Sequence, residues 1–454
     1  MTQKKAFFRG QTWLQCINCG HKADLFLERK FRCPVCNDLF EVQHDFSQLP
    51  SFEDLKFLFD SRANMAGIGN SHDPKRRSGV WRFKELIMPF LPDDSIITLG
   101  EGNVPIISAG SHLREWVGDI DLYIILEGMT PTGSFKDLGG TVMISVAKAI
   151  GISAIGCSST GDTSAMAAAY SAAAGIKCFV IIPEGKVTAV QFAQPLIHGA
   201  KVIILPGSFD DCMKVEEALV REFGAFPANS LNPTRIEGHQ ATVFLIAQHF
   251  GWKLPNWIAL PVGNGSNCSS VGKALRLLSE LSSGKMSGTR ILGCQSRAAD
   301  PLAESWRVLM GDNYDGEYYT GFGQAWQEKF RKKKVGETTA TAARIGDPVS
   351  RVKVMREIIS SGGAMQTAEE NELNEAVAVC GMDGYFVCPQ TGIALAGLRS
   401  AVREGWIKKG ETVVAVSTAS GLKFTESAVR DSVKNVISLN DCKPETTAKA
   451  LGLA

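Results

Sequence analysis

The stretch "ISAIGCSSTGDTSAMAAAYSAAAGIKCFVIIPEG", residues 152–185, decides the fold because it places a strand, a helix and another strand in succession. The segment "ISAIGCSST" predicts a buried strand, "AMAAAYSAAAG" an alanine-rich helix that ends at Gly175, and "KCFVIIPEG" the next strand. The same alternation of strand and helix patterns runs from about residue 120 onward. Such alternation is typical of a parallel sheet covered by helices, so we predict an α/β fold.

The composition is that of an ordinary globular protein. Of its 454 residues, 44% are hydrophobic and 21% are charged. The 48 Lys plus Arg against 47 Asp plus Glu give no overall field that would attract nucleic acid or an acidic membrane. No apolar run is long enough to span a bilayer, and the N-terminus lacks the apolar core of a signal peptide. We expect a soluble, cytoplasmic protein that binds a small molecule, with no nucleic-acid or membrane partner.

Two C-x-x-C pairs near the N-terminus predict a metal site. Cys16 and Cys19 form the first pair, and Cys33 and Cys36 form the second. This spacing is typical of a zinc ribbon, in which four thiolates hold one ion. The alternative is a redox pair, which is disfavoured because there are two pairs and no βαβ unit precedes them. We predict a structural Zn²⁺ in a ribbon over residues 1–48, since four cysteines leave no open position on the ion.

Lys136 lies in "TPTGSFKDLGG", residues 130–140, among small and turn-forming residues. A lysine that reacts covalently needs a partly desolvated setting that lowers its pKa. On local sequence alone, an ordinary surface lysine remains the alternative. The turns that follow it along the chain favour a catalytic role.

Three of those turns are suited to binding anions. The turn "SSTGDTS", residues 158–164, gathers hydroxyls at the start of a helix. The turn "GNGSN", residues 263–267, joins a strand to a helix through glycines that let the backbone close on a phosphate. The segment "ANSLNPTRIEG" supplies an amide, a hydroxyl and a guanidinium from Asn229, Ser230 and Arg235. Each has an ordinary alternative: a helix cap, a lone glycine turn and a surface arginine.

The segment "VVAVSTASGLKF", residues 413–424, predicts a buried strand that ends in hydroxyl side chains. A hydroxyl at a strand end, such as that of Thr418, can form a hydrogen bond with a ring nitrogen. A reactive lysine, a glycine phosphate turn and such a hydroxyl together indicate a site for pyridoxal 5'-phosphate.

The chain resembles the threonine synthase family, which depends on pyridoxal phosphate and has the fold of the tryptophan synthase β subunit. The segments "FKDLG" and "STGDTS" most resemble its plant-type branch. The resemblance covers most of the chain and rests on the N-terminal cysteine pairs and on "PTGSFKDLGG", "SSTGDTSAMAAAY", "NSLNPTRIEG", "PVGNGSN", "RIGDPVS", "CPQTGIALAGL" and "STASGLKF".

This resemblance implies roles for individual residues. The Schiff base with the cofactor would form on Lys136, which is also the implied catalytic residue. The other implied cofactor-binding residues are Asp162, Gly263, Asn264, Gly265, Ser266, Asn267 and Thr418. The implied substrate-binding residues are Ser159, Thr160 and Thr163 for the α-carboxylate and Asn229, Ser230 and Arg235 for the phosphate.

The resemblance also implies an architecture and a reaction. We expect fold type II, with two unequal open α/β lobes and the active site between them. The catalytic domain would span residues 49–434, with the smaller lobe at about 145–240, and a tail would follow at 435–454. The implied reaction converts O-phospho-L-homoserine and water to L-threonine and phosphate, in threonine biosynthesis.

Gln390 and Ser420 depart from the family pattern, because related sequences often have histidine at both positions. The departure keeps open another lyase of the same fold, such as a serine/threonine dehydratase or a cysteate synthase that uses phosphoserine. A non-enzymatic alternative is a zinc-ribbon binding module with a degenerate catalytic half. The sequence also leaves open the oligomeric state, with a homodimer as one expectation, and activation by S-adenosylmethionine.

Overall fold

Three β-sheets organise the part of the chain that the computed structural model describes, which comprises residues 11–25, 31–63, 74–159, 161–184, 189–207, 209–310, 326, 329–425, 437–440, 444–451 and 453. The sheets have three, six and four strands. In chain order the strands are β1 (Thr12–Cys16), β2 (Lys22–Ala23), β3 (Phe40–His44), β4 (Ile106–Ser108), β5 (Asp121–Leu126), β6 (Ala154–Ser158), β7 (Lys177–Pro183), β8 (Lys201–Leu205), β9 (Phe226–Pro227), β10 (Trp257–Pro261), β11 (Arg290–Ser296), β12 (Ala364–Ala368) and β13 (Thr412–Ser417).

The helices between these strands cover the sheets. In chain order they are α1 (Phe52–Ala63), α2 (Lys84–Ile87), α3 (Ser111–Val117), α4 (Lys136–Ala149), α5 (Asp162–Ala174), α6 (Ala189–Ile197), α7 (Phe209–Phe223), α8 (Thr234–His239), α9 (Ala241–His249), α10 (Ser266–Leu281), α11 (Pro301–Met310), α12 (Arg351–Ser360), α13 (Glu370–Met382), α14 (Pro389–Arg403) and α15 (Pro444–Ala450). Short 3₁₀ segments lie at Pro74–Arg77, Trp81–Phe83, Asp93–Ser95, Glu127–Met129, Arg297–Ala299, Thr341–Ala343 and Gly421–Lys423. Within the described ranges, no helix has both the length and the apolar composition that crossing a bilayer requires.

The six-stranded sheet has the order β12-β11-β10-β13-β5-β4 and is parallel except for β4, which pairs antiparallel with β5. Its strand β10 has the sequence "WIALP", and all five residues are buried. Strands covered by helices on both faces need such continuous apolar runs. The prediction of a parallel sheet inside helices is therefore confirmed.

The four-stranded sheet has the order β8-β7-β6-β9, and all of its pairs are parallel. The deciding stretch forms β6, α5 and β7 in this sheet. Helix α5 ends as predicted, because Gly175 follows it with a left-handed φ of 68°. The segment "GHQATVFLIAQHFG", which predicts one helix, is instead divided between α8 and α9 at Gln240.

The N-terminal sheet, formed by β1, β2 and β3, is antiparallel and has the order β2-β1-β3. Three cationic side chains join β3 to the helices α10 and α12. Lys353 Nζ on α12 donates a hydrogen bond to the Phe40 carbonyl oxygen at 2.7 Å, and Lys273 Nζ on α10 donates to that of Val42 at 2.6 Å. Arg356 of α12 pairs with the Glu41 carboxylate. We call this set of contacts the N-terminal interface.

Candidate active site

A cleft with a volume of about 2140 Å³ opens at the carboxyl ends of β6, β10 and β13. It lies between the two parallel sheets, at the strand ends where open α/β sheets bind their ligands. The predicted site residues that line it are Lys136, Ser159, Asp162, Thr163, Asn229, Ser230, Gly263, Asn264, Gly265, Ser266, Asn267 and Thr418. Thr160 lies outside the described residues, and Arg235 is fully buried and is not part of the lining.

Backbone pairing between two distant segments brings Lys136 close to Thr418. The Phe135 N–H donates a hydrogen bond to the Thr418 carbonyl oxygen at 2.8 Å. The Ser420 N–H donates to the Gly133 carbonyl oxygen at 3.0 Å. The loop before α4 and the segment after β13 are therefore joined, and the predicted reactive lysine and ring-facing hydroxyl share one wall of the cleft.

The amine of Lys136 lies in surroundings that favour its neutral form. Its Nζ is 3.6 Å from the centre of the Phe135 ring. Burial, followed by the positive charge of Arg235, lowers the pKa of Lys136 to about 7, although the carboxylate of Asp162 opposes the shift. A large neutral fraction is therefore present near pH 7, and the neutral amine is the form that acts as a nucleophile or a base.

The glycine turn at residues 263–267 joins β10 to α10. Gly265 has a φ of 90°, and a Cβ there would lie 2.4 Å from Val354 Cγ2, so only glycine fits. The Asn264 carbonyl oxygen accepts a hydrogen bond from the Ser350 N–H at 3.0 Å, which holds the turn in place. The first N–H groups of a helix have no partner within it, and α10 is 16 residues long. The turn is therefore suited to a phosphate group.

Two amide side chains in the cleft have buried polar atoms without partners, as a ligand site would. Both side-chain polar atoms of Asn267 and both of Gln390 lack a hydrogen bond within the described part of the chain. An unpaired buried group of this kind costs about 1–3 kcal/mol. Pyridoxal phosphate would be held by the 263–267 turn at its phosphate, by Thr418 at its ring nitrogen and by Lys136 at its aldehyde. The residues present therefore fit this cofactor.

The turn predicted for the substrate carboxylate lies at the start of α5. Ser159 Oγ accepts a hydrogen bond from the Gly161 N–H at 3.4 Å. Thr163 lies in the first turn of α5, and both it and Ser159 line the cleft. Unpaired N–H groups at a helix N-terminus favour an anion, so this turn is suited to a carboxylate.

The three residues predicted for the phosphate differ in their access to the cleft. Asn229 and Ser230 line it, and Asn229 Nδ2 donates a hydrogen bond to Glu216 Oε2 at 2.8 Å. Arg235 Nη1 donates to the Ala228 carbonyl oxygen at 2.8 Å. The Nε and Nη2 atoms of Arg235 have no partner among the described residues. A buried guanidinium with two unpaired nitrogens is suited to an anion that accepts hydrogen bonds from them.

Lys423 is a site residue that the sequence analysis missed. Its Nζ donates to the Thr132 carbonyl oxygen at 2.9 Å and to Gln194 Oε1 at 3.3 Å, and it lies 3.1 Å from Asp162 Oδ1. The ammonium therefore makes two hydrogen bonds and one ion pair with acceptors from three separate segments. Lys423 therefore connects the loop before α4 to α5 and α6. No sequence pattern indicates this role, because the three partners come from separate segments.

Two buried titratable groups near Lys136 were also missed. Burial raises the pKa of Glu127 to about 7, although Thr242 Oγ1 donates a hydrogen bond to its Oε1 at 2.5 Å. The His239 ring packs against the Phe135 ring at a centroid distance of 5.0 Å. Burial, together with nearby positive charges, keeps the pKa of His239 well below its usual value. The imidazole is therefore neutral at pH 7 and adds no charge beside the Lys136 amine.

Gln390 and Ser420 both line the cleft. Gln390 is buried at 5% exposure, and Ser420 Oγ accepts a hydrogen bond from the Leu422 N–H at 3.2 Å. Neither side chain titrates near neutral pH. At these two positions the cleft therefore has no group that could gain or lose charge as histidine would.

Four thiols lie together in the N-terminal sheet and its loops. The Sγ atoms of Cys16, Cys19, Cys33 and Cys36 are all within 4.8 Å of one another. Cys16 and Cys36 are 3.4 Å apart and Cys19 and Cys33 are 3.5 Å apart, between Sγ atoms. A tetrahedral zinc ion with Zn–S bonds of about 2.3 Å places its sulfurs about 3.8 Å apart. The four residues therefore fit one such ion.

Known proteins are similar to this chain in sequence and in fold. Residues 97–419 match the family model described as "Pyridoxal-phosphate dependent enzyme". The chain is 34% identical over 425 residues to the threonine synthase of Methanocaldococcus jannaschii, with 92% of this chain and 94% of that protein covered. It is 36% identical over 406 residues to "Threonine synthase 2, chloroplastic" of Arabidopsis thaliana, with 88% and 74% covered. The crystal structure of Escherichia coli threonine synthase has a TM-score of 0.66 at 16% identity, over 96% of this chain and 94% of that chain.

The fold and the cleft define a pyridoxal-phosphate-dependent enzyme of fold type II, as predicted. This assignment does not support the alternative of a non-catalytic binding module. Within that class, the sequence identity to the archaeal and plant threonine synthases identifies the family. The chain belongs to the threonine synthase family.

Proposed function

We propose that the chain converts O-phospho-L-homoserine and water to L-threonine and phosphate. Phosphate leaves Cγ with the electrons of the C–O bond, and the hydroxyl of water adds at Cβ. Protons leave Cα and Cβ, and protons return to Cα and Cγ. Pyridoxal phosphate, when bound, supplies the electron sink that makes the hydrogens at Cα and Cβ acidic. The family assignment supports this reaction.

Lys136 is the residue that we propose to move these protons. Its amine, with a pKa of about 7, can both accept and donate a proton near neutral pH. Ser159 and Thr163 would bind the α-carboxylate at the start of α5 and so orient Cα toward the amine. The neutral His239 and the apolar Phe135 ring would limit the access of water to that amine.

The burial of Arg235 and its two unpaired nitrogens favour a phosphorylated substrate. Burial lowers the pKa of Arg235 to about 10, so the guanidinium stays charged at neutral pH. Threonine or serine, the substrates of a dehydratase, have no phosphate and would leave this charge unpaired at a cost. A phosphate next to Asn229 and Ser230 would instead accept charge-assisted hydrogen bonds from the guanidinium.

A side-by-side assay of substrates tests the proposal. We expect one phosphate released for each threonine formed from O-phospho-L-homoserine. The comparison substrates are phosphoserine, for a cysteate synthase, and unphosphorylated threonine and serine, for a dehydratase. Faster turnover of any of these than of phosphohomoserine would overturn the proposed substrate.

We propose that Cys16, Cys19, Cys33 and Cys36 bind one structural zinc ion, so that residues 1–48 form a zinc ribbon. The mutual Sγ separations and the four-thiol set support this. Metal analysis should find one zinc per chain, and none in the variant Cys33→Ser/Cys36→Ser. The control is Cys212→Ala, which removes a buried thiol outside the cluster and should keep its zinc. A full equivalent of zinc in the double serine variant would contradict the assignment.

Several expectations from the sequence remain predictions. They are the domain limits, the homodimer, the absence of nucleic-acid and membrane partners, and the cytoplasmic location. The name of the Arabidopsis relative places that protein in the chloroplast.

A further inference from the structure

Helix α8 carries Arg235 and is buried on every residue. On one side it meets the backbone of α4, the helix that begins with Lys136. A Cβ at Gly238 would lie 2.0 Å from the Leu138 carbonyl oxygen, so the two helices touch where only a hydrogen fits. This contact limits how far α8 can move toward α4.

A different side of α8 is held by Glu237, whose side chain is 1% exposed. Its Oε1 pairs with Lys273 Nζ on α10, and its Oε2 accepts a hydrogen bond from Gln240 Nε2 at 2.9 Å. Lys273 Nζ also donates to the Val42 carbonyl oxygen in β3 at 2.6 Å. One carboxylate therefore connects α8 with both α10 and the N-terminal sheet.

His44, the last residue of β3, lies against the same carboxylate. Its Nε2 is 3.4 Å from Glu237 Oε2, and its Nδ1 is 2.9 Å from Thr12 Oγ1. Burial lowers the pKa of His44, so the imidazole is neutral at pH 7. The neutral ring therefore contacts the Glu237 carboxylate at Nε2 without a hydrogen bond, and its Nδ1 can accept one from the Thr12 hydroxyl. The N-terminal sheet thus meets Glu237 without adding an unpaired charge.

Phe31, in the loop between β2 and β3, makes a second contact near Arg235. The Phe31 ring packs edge-on against the Phe226 ring of β9 at a centroid distance of 5.5 Å. Ala228 follows Phe226 by two residues, and its carbonyl oxygen accepts the hydrogen bond from Arg235 Nη1. Residues of the N-terminal region therefore contact both α8, which carries Arg235, and β9, which leads to its hydrogen-bond partner Ala228.

We propose that Glu237 is a positioning residue for Arg235, through which the N-terminal sheet sets the affinity of the cleft for the substrate phosphate. This inference rests on the proposed function, in which Arg235 receives the phosphate. A guanidinium binds phosphate well only when its N–H bonds are directed at phosphate oxygens, and displacements of about 1 Å are enough to weaken such contacts. Glu237 does not line the cleft, so its loss should change phosphate affinity without changing the cofactor or the chemical step.

Two variants of the cofactor-loaded protein test this role. Glu237→Gln keeps the size of the side chain and removes its charge. The double variant Glu237→Met/Lys273→Met removes both charges, so that neither stays buried alone and folding is retained. In both variants, calorimetric titration should show a Kd for inorganic phosphate that is raised about tenfold. The KM for phosphohomoserine should rise by a similar factor, while kcat and the visible absorbance of the bound cofactor stay within about twofold.

Glu41→Gln is the matched control, because Glu41 is also a buried carboxylate of the N-terminal interface. Its partner is Arg356 on α12, and it has no contact with α8 among the described ion pairs. This variant should leave the Kd for inorganic phosphate within about twofold of the parent, because the described hydrogen bonds and ion pairs of the Glu41 side chain go to Arg356 and not to Lys273 or α8. Arg235→Ala is the positive control and should lose phosphate binding.

The outcomes distinguish a failure of the role of Glu237 from a failure of the proposed function, in which Arg235 receives the phosphate. Equal losses of phosphate affinity in Glu41→Gln and Glu237→Gln would mean that general docking of the sheet matters, and the role of Glu237 would be overturned. The role is also overturned if both Glu237 variants bind phosphate normally while Arg235→Ala does not. Normal phosphate binding by Arg235→Ala would instead remove the phosphate receptor itself, and the proposed substrate with it.

Discussion

Arg235 beside the cleft and Lys353 in the N-terminal interface are both fully buried cations, yet their surroundings differ. Lys353 Nζ donates to the Phe40 carbonyl oxygen at 2.7 Å, and the Glu41 carboxylate partly offsets the effect of burial, which lowers the pKa of Lys353 to about 8. Arg235 also has one carbonyl partner, Ala228, but its Nε and Nη2 atoms have no partner within the described part of the chain. The nitrogen of Lys353 is paired within the protein, whereas two nitrogens of Arg235 are left for a ligand.

A similar difference separates the charged groups near the N-terminal sheet from two amide side chains of the cleft. Carboxylates and cations of the N-terminal interface and the helices beneath it are paired, namely Glu41 with Arg356, Glu237 with Lys273, and Glu357 with Arg276. In the cleft, the polar atoms of Asn267 and Gln390 have no partner among the described residues. Buried polar groups are nearly always paired, so pairing indicates a structural role and its absence indicates a ligand. Substitutions in the interface should therefore reduce stability, and substitutions in the cleft should reduce activity.

The largest effect expected in the cleft is that of Lys136→Ala. Turnover of phosphohomoserine should fall by more than about 10⁴-fold, because no other side chain replaces the covalent and proton-transfer roles of the amine. The visible absorbance of the lysine-bound cofactor should also be lost. Thermal unfolding should stay close to that of the parent protein, which circular dichroism can measure.

The control for this prediction is Lys148→Ala, since Lys148 lies on the same helix and is exposed. It should keep both the activity and the absorbance. Full activity in Lys136→Ala would show that the cleft lysine is not the catalytic group. A large loss of stability would show that it belongs with the paired, structural side chains.

On the other side of the comparison, Arg356→Met should destabilise the protein. It removes the cation that pairs with Glu41 and Glu357, and burial would otherwise raise the pKa of Glu41, which Lys353 and Arg356 lower to about 2. The two carboxylates are buried but the Arg356 side chain is 35% exposed, so breaking this pair from one side should cost less than the roughly 3 kcal/mol of a fully buried pair, or about 2 kcal/mol. Urea unfolding should show this decrease in the free energy of unfolding, with kcat nearly unchanged.

Arg403→Met provides the comparison for Arg356→Met. Arg403 pairs with Glu372 at 2.9 Å, but its side chain is 53% exposed. Exposed pairs contribute about 1 kcal/mol or less, so this variant should unfold almost as the parent does. Equal losses in the two variants would remove the distinction between paired buried charges and surface pairs.

The fold could be predicted from the sequence because its strands and helices carry their own periodicity. The stretch at 152–185 forms β6, α5 and β7, and Gly175 ends α5. Continuous apolar runs mark strands buried on both faces, and local turn chemistry marks the ends of helices. The division of one predicted helix at Gln240 was not foreseen, since its apolar pattern continues on both sides.

The site could be predicted only where one short segment holds several functional groups. The glycine turn at 263–267 and the segment that contains Lys136 are such cases, and both line the cleft. Lys423 and Glu237 were missed because their partners are distant in sequence. Whether Arg235 is buried stayed open between a surface arginine and a desolvated one, because a sequence does not show which way a side chain points or what covers it.

Arg235→Ala should lower kcat/KM for phosphohomoserine by at least about a hundredfold, or roughly 2.7 kcal/mol. A substrate phosphate would supply acceptors for the Nε and Nη2 atoms of the guanidinium, which have no partner among the described residues. Any deamination of threonine or serine should change little. Steady-state kinetics with both kinds of substrate, under one set of conditions, measures the contrast.

Arg235→Met separates the loss of charge from the loss of volume. Methionine fills more of the space than alanine does, so the cavity should be smaller, while kcat/KM should fall as far as in Arg235→Ala. A parallel loss of deamination and phosphohomoserine turnover would show that Arg235 is not a phosphate receptor. Arg235 would then be a structural cation, like Lys353.

The smallest expected effect concerns the ionisation of Lys136 itself. Burial and the charge of Arg235 lower the pKa of Lys136 to about 7, whereas an ordinary lysine amine has a pKa of about 10.4. Only the neutral amine reacts with a small acylating reagent, so in cofactor-free protein the rate at Lys136 should rise about tenfold per pH unit below pH 7 and level off above it. Mass spectrometry of the modified peptide measures that rate.

Arg235→Met should move the plateau to higher pH, because it removes a positive neighbour, and Asp162→Asn should move it to lower pH, because it removes a negative one. A rate that still rises tenfold per pH unit between pH 8 and 9 in the parent protein would show that the cleft does not hold Lys136 neutral. The unpaired charge of Arg235 would then have no effect on the reactive amine, and in this respect the cleft would not differ from the N-terminal interface.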